Sequence, residues 1–213
     1  MTAGEIITKF ELQVSDITEL SSDEELDLFN KVYFKVCTTK PWEFSKVNTS
    51  GTILTDANGS YIPIPDDFAY FAENNSYTDN TMEATNNAAP RVIFLGPNFQ
   101  PYQIVNFSDR RQYRTSSGYA YLDLANNQIR FTVAPTLTTY DFDYIKFPAA
   151  LTVDDSPVFP AAYHYIIFHG MAVENDILQL SEKARSYAPE NNAKYISYME
   201  DLDYWNANLA LNN

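Results

Sequence analysis

Apolar residues recur at helical spacing at both ends of this chain and at strand spacing between them. Ile6, Ile7, Phe10 and Val14 share one helical face. In "SSDEELDLFNKVYFKVCTTKPW", Ser22 and Glu25 have the spacing of a capping box. Leu26, Phe29, Tyr33 and Val36 then form a stripe that Pro41 should end. From about Glu43 to Phe147 the period shortens. "GTILTDANGSYIPIP" alternates around Asn58-Gly59, a strong hairpin signal. "APRVIFLGPNFQPYQIVNF", "SGYAYLDLANNQIRFTVAP" and "TTYDFDYIKF" read as further short strands broken by Gly, Pro and Asn. No helix-length segment separates them, so an antiparallel meander is expected. Residues 74–87, rich in Asn, read as a long exposed loop. Pro157 and Pro160 suit the start of a helix whose apolar face holds Tyr163, Ile166, Ile167, Val173, Ile177 and Leu178. Pro189 should break that pattern before a last helix with Tyr195, Tyr198, Met199, Leu202, Trp205 and Leu209 in a stripe.

The expected fold class is therefore α+β. Residues 1–42 and 150–213 would form one helical bundle, with an antiparallel β domain, residues 43–149, inserted between them. No internal repeat is present.

Composition narrows the function. The chain has 213 residues, enough for one large core or two small ones. With 16 Tyr, 14 Phe and only 6 Gly it is neither disordered nor a low-complexity fibre. Its formal net charge of −14 disfavours a sequence-specific DNA binder, which needs basic surface against phosphate. DNA passing without sticking stays compatible. The single cysteine, Cys37, lies in an apolar helical pattern and reads as a small buried hydrophobe. "MTAGEIITKFELQ" lacks a basic-then-apolar signal, and the apolar run within residues 163–173 is too short to span a bilayer. A soluble, non-secreted protein is expected. Asn58-Gly59-Ser60 and Asn74-Asn75-Ser76 fit turn chemistry better than glycan attachment.

Candidate chemistry is sparse. His164 and His169 would lie about 140° apart around a helix and cannot share one metal ion. No His-Glu-x-x-His occurs, and Cys37 has no cysteine partner for zinc. Asp141 and Asp143 alternate with Tyr140, Phe142 and Tyr144, so they face one side of a strand roughly 7 Å apart. A glycosidase pair could use that spacing, and so could two acids on a wet face. Asp66-Asp67 and Asp154-Asp155 read as turn residues. Neither a phosphate-binding glycine loop nor a Gly-x-Ser-x-Gly elbow is present, so no enzyme activity and no cofactor are expected. "SDRRQYRTSSG" gathers Arg110, Arg111 and Arg114 in an acidic chain. Such a cluster suits phosphate or an acidic partner surface, or else a charged hairpin edge that blocks strand pairing.

Taken in order, four stretches resemble the head-to-tail adaptors of tailed bacteriophages, the connector or tail tubular protein A-like family. They are "LSSDEELDLFNKVYFKVCTTKPWEF", "SYIPIPDDFAYF", "IRFTVAPTLTTYDFDYIKFPAAL" and "DSPVFPAAYHYIIFHGMAVE". Their order and spacing cover nearly the whole chain, apart from residues 74–87. The resemblance implies a structural virion protein assembled in the bacterial cytoplasm. It would form a ring, usually dodecameric, between the portal and a tail or nozzle protein, with genomic DNA passing through the lumen. On this resemblance the helix from near Pro160 would build the bundle. Trp205, Asn206, Leu209 and Leu211 would be candidates for portal docking. Arg110, Arg111 and Arg114 would be candidates for subunit or tail contact. A different reading is a glycan-binding module built on the Tyr/Phe-rich β region of a tail or adhesion protein. A glycan-cleaving enzyme using Asp141 and Asp143 is a third.

Overall fold

The computed structural model describes residues 1–14, 20–72, 91–178 and 184–210. The Asn-rich stretch singled out above lies outside them. The chain divides into two compact units, Met1–Ser45 with Phe147–Asn213, and Lys46–Lys146.

The first unit holds four helices: α1 (Ala3–Val14), α2 (Ser22–Thr38), α3 (Tyr165–Leu178) and α4 (Ala184–Ala210). Thr2 and Glu5 open α1 with reciprocal backbone-to-side-chain bonds of 2.9 and 3.2 Å, the pattern of a capping box. The box opening α2 uses Ser21 and Glu24, one residue before the expected pair. "SSDEE" permits either register, and the apolar stripe decides. With Ser21 as the cap, Leu28, Phe29, Val32, Tyr33, Val36 and Cys37 turn inward, and Glu25 is buried with them. Burial pushes the Cys37 thiol up to about 12, so it carries almost no reactive thiolate at neutral pH.

Helix α2 stops at Thr38, before Pro41. Trp42 folds back, and its Nε1 donates at 2.7 Å to the carbonyl of Val36, which otherwise accepts only a longer bond of 3.4 Å from the Thr39 backbone N–H at the helix end. In α3, Gly170 lets the backbone approach α2, since a Cβ there would collide with the Val32 side chain. Pro189 does not break the last helix. It lies inside α4, which begins at Ala184. Residues from both chain ends share one core: Ile6 and Phe10, Phe29 and Tyr33, Ile166 and Ile167, and Leu202.

The second unit contains nine strands: β1 (Lys46–Thr52), β2 (Leu54–Asp56), β3 (Gly59–Pro63), β4 (Phe68–Phe71), β5 (Val92–Leu95), β6 (Gln100–Val105), β7 (Tyr119–Asp123), β8 (Gln128–Phe131) and β9 (Thr139–Lys146). They form one sheet in the order β1-β9-β5-β6-β7-β8-β3-β2, with β4 also paired to β9. The hairpin expected at Asn58-Gly59 joins β2 to β3. Asp56 faces Gly59 across the turn, and Gly59 takes the positive φ of 113° that a residue with a side chain rarely adopts.

This sheet overturns the expected fold class. In place of a helical bundle carrying an antiparallel β insertion, the chain forms a nearly closed mixed sheet with four accompanying helices. Two features produce the difference. Strands β6 and β7 run parallel, with Gln103 opposite Tyr119. Residues 106–118 between them supply the dozen or so residues that a parallel crossover needs, without an α-helix. Strands β1 and β2 stand at opposite ends of the strand order, yet Ile53 alone separates them in sequence. The sheet must therefore curl until its two edges approach. Its concave side holds an apolar core that includes Ile62, Ile93, Leu95, Ala120, Ile129 and Phe142.

Candidate functional site

The two histidines serve packing in the helical unit. His164 is buried; its Nε2 donates to the Phe159 carbonyl at 2.8 Å, and its Nδ1 lies 3.1 Å from the Met1 nitrogen. His169, on α3, donates from Nδ1 to Asn191 Oδ1 on α4 at 3.2 Å. Its ring stacks on Tyr198 at 5.7 Å. Burial holds both imidazoles below the usual histidine range, which favours the neutral ring. No group of three or more His, Cys, Asp or Glu among the described residues is placed to hold a metal ion.

Glu25 titrates with the opposite sign. Burial first, then a hydrogen bond and charge from Glu11, push its carboxyl up to about 7. Its contribution to stability is complete below the unfolded value near 4.5 and is lost as pH rises through 7. The depressed histidines contribute above about 6.5 and lose that contribution as pH falls. We therefore expect Glu25→Gln, which keeps a donor toward Glu11 without a charge, to match the parent at pH 4. At pH 8 it should be more stable by about 1–2 kcal/mol, after discounting for screening. Thermal melts across that range check both the sign and the crossover.

Asp141 and Asp143 on β9 are brought together by Asn48 on β1. The Asn48 amide donates to both carboxylates, at 3.0 Å each, and Lys46 Nζ lies 3.9 Å from Asp143. The pair is thus tied into a cross-strand polar ladder. Asp67, in the turn before β4, accepts from the Tyr144 hydroxyl at 2.7 Å. Asp155 accepts from the backbone N–H and hydroxyl of Thr152, both at 2.8 Å, and these bonds hold its carboxyl below the usual range.

The arginine cluster lies on the β6–β7 crossover, not on a hairpin edge. A short 3-10 turn, Asp109–Arg111, begins it. The Arg110 guanidinium lies over the Phe107 ring, 3.5 Å from its centroid, and donates to the Phe107 carbonyl. Phe107 meets Tyr121 edge-on at 5.8 Å but keeps 50% of its surface exposed. Tyr113 and Tyr119 pack at 4.3 Å beneath the later part of the crossover. Arg111 and Arg114 are exposed and form no ion pair among the described residues. Asp109 is occupied by Asn106 at 3.3 Å and Ser108 at 3.1 Å. The structure thus adds Phe107 and Tyr121 to the cluster. Sequence reasoning missed both because each reads as an ordinary strand aromatic.

At the other candidate surface, the α4 end, the residues divide. The Trp205 ring packs against Phe44 at 6.2 Å and Tyr163 at 5.9 Å. Asn206 Oδ1 accepts from the Glu43 backbone N–H at 2.7 Å. Leu209 is partly exposed, and Leu211 lies outside the described residues. None of the helices, over the described residues, is long and apolar enough to cross a membrane.

Comparison with known families gives one result that covers both units. Residues 1–210 match the sequence model of a family described as SU10 adaptor protein. No curated protein matches the chain.

Proposed function

We propose, since this chain belongs to the SU10 adaptor protein family, that it joins the head of a bacteriophage to its tail. Membership makes it a structural phage adaptor and a virion component, with no catalysis implied. The finer reading is a connector or tail tubular protein A-like ring, dodecameric, between the portal and a tail or nozzle protein. Genomic DNA would pass through its lumen. The observation that carries this reading is the extent of the family match, which runs from the first helix through the sheet and back into the last helix.

The physical properties support it. A closed ring needs two different contact faces on each copy. The chain offers two chemically distinct surfaces for that purpose. Its helical unit carries 18 acidic against 7 basic residues, while the sheet unit carries 10 against 7 and includes Arg110, Arg111 and Arg114. Acidic surface along a lumen would repel phosphate, so that DNA slides past. We assign the arginine crossover to subunit or tail contact, and the end of α4 to the portal. Trp205 and Asn206 would anchor that end against Phe44 and Glu43, leaving Leu209 and Leu211 for the docking surface.

Electron microscopy of the chain mixed with its portal protein tests the assignment. Rings stacked coaxially on portal are expected, and portal particles left bare would refute it. Truncation after Trp205 should abolish portal binding while the circular dichroism of the helices stays close to that of the parent. Unchanged binding would remove the docking role from the α4 end.

A further inference from the structure

We infer that the crossover surface made by Phe107, Arg110, Arg111 and Arg114 docks on the acid-rich helical unit of a second copy of this chain. Three observations combine. The centre of the surface is already ordered before any partner arrives, because Arg110 is fixed over Phe107 by a cation–π contact and a hydrogen bond to the backbone. Arg110 and Phe107 then have little side-chain freedom left to lose on docking, which favours association. It pairs an aromatic ring, half of it exposed, with arginine, a composition enriched in the energetic centres of protein interfaces.

Its charge is also unspent. Residues 106–118 contain three arginines and one acid, and that acid, Asp109, is held by Asn106 and Ser108. Arg111 and Arg114 therefore point two guanidinium groups outward in a chain of net charge −14. The complementary surface is present in the same molecule's sequence. The unit Met1–Ser45 with Phe147–Asn213 carries an excess of 11 acidic residues. Asp23 and Asp27, one helical turn apart on α2, are exposed and make no ion pair among the described residues. A contact from the sheet unit of one copy to the helical unit of the next is heterologous, and such contacts propagate around a ring. DNA is the weaker fit. A phosphate backbone offers nothing apolar to Phe107, and the rest of the chain repels it.

A contact between copies is what a ring-forming adaptor requires, so this assignment rests on the reading above. It is tested without portal, so that failure here and failure to bind portal are separate results. Light and nitrogen-15-labelled full-length chains carrying Arg111→Lys and Arg114→Lys are mixed and treated with a zero-length carbodiimide. The substitutions keep the charge and supply amines that this reagent joins to carboxylates. Light-to-heavy cross-links from the two introduced amines to acids within residues 1–45 or 147–213 are expected. Both positions are exposed, so the melting temperature should stay that of the parent, and a parallel melt checks this. In sedimentation, Arg111→Glu with Arg114→Glu should weaken self-association at least about tenfold, and Phe107→Ala should weaken it in the same direction. Absence of light-to-heavy cross-links would overturn the assignment. So would a glutamate variant that loses retention of a DNA duplex while associating with itself as the parent does; that outcome would give the surface to nucleic acid.

Discussion

Trp42→Ala should destabilise the helical unit by about 3–5 kcal/mol, the range for emptying a large aromatic site in a core. Trp42 has no exposed surface, and its ring stacks on Phe44 at 5.5 Å. Phe44 in turn meets Phe159 at 5.8 Å and Trp205 at 6.2 Å. The indole is therefore the first member of an aromatic chain that links the end of α2 to α4. It also has a polar task, donating to the Val36 carbonyl at 2.7 Å. Trp42→Phe separates the two contributions. It keeps most of the apolar area but leaves that carbonyl with only the longer bond from the Thr39 N–H, at a cost of about 1 kcal/mol. Urea unfolding followed at a helical wavelength should rank the parent above Trp42→Phe, and Trp42→Phe above Trp42→Ala. A Trp42→Phe midpoint equal to that of the parent would show that the hydrogen bond contributes nothing.

The second large effect is expected in the sheet. Arg130 on β8 is 5% exposed and lies between two carboxylates. Its Nη1 and Nη2 donate to the two Asp56 oxygens at 3.1 and 2.7 Å, and its Nε donates to Asp123 at 3.2 Å. The Tyr61 ring is 5.5 Å from the guanidinium. Arg130→Met keeps the length and apolar stem but leaves two carboxylates facing an uncharged group. A loss of about 3 kcal/mol is expected, as for breaking a largely buried ion pair on one side. Combining Arg130→Met with Asp56→Asn and Asp123→Asn should recover most of it, because no uncompensated charge remains. The pH dependence gives an internal check. Arg130, followed by backbone hydrogen bonds, holds the Asp56 carboxyl below its usual range. Its contribution is present above an unfolded value near 3.8 and fades as pH falls below that. The gap between parent and Arg130→Met should therefore narrow in acid. A gap independent of pH would indicate lost packing in place of lost charge pairing.

These two residues also show what the sequence could and could not reveal. Helical stretches were legible because Phe10, Phe29, Tyr33 and Val36 recur at a spacing that only one face of a helix satisfies. The α2 cap was ambiguous by one residue, since both Ser21 and Ser22 have a glutamate three positions on. Burial of Glu25 resolved it. Pro189 misled because a proline inside a helix forfeits one backbone hydrogen bond without having to end the helix, and α4 continues through it. Beyond the hairpin at Asn58-Gly59, strand pairing was not legible. Alternation in "QPYQIV" and "YAYLD" marks two strands equally well whether they run parallel or antiparallel, and only the chain's path between them distinguishes the cases. Arg130 escaped notice for a related reason. Its partners are the last residues of β2 and β7, more than 70 and only 7 positions away, and nothing in "QIRF" says which face is covered. The exposed arginines were easy to find by composition. Phe107 became part of that surface only once the backbone brought Arg110 over its ring.

The sheet unit leaves and rejoins the rest of the chain through neighbouring strands. Lys46, the first residue of β1, is registered against Ile145, next to the last residue of β9. Removing residues 46–146 would thus leave two cut ends separated by little more than an inter-strand spacing, a gap of roughly 5 Å that a tight turn could close. A cassette tethered in this way can be lengthened, shortened or replaced over evolutionary time without rethreading the helices that flank it. Divergence among relatives is then expected to concentrate within residues 46–146, while the junction beside Lys46 and Ile145 stays the same.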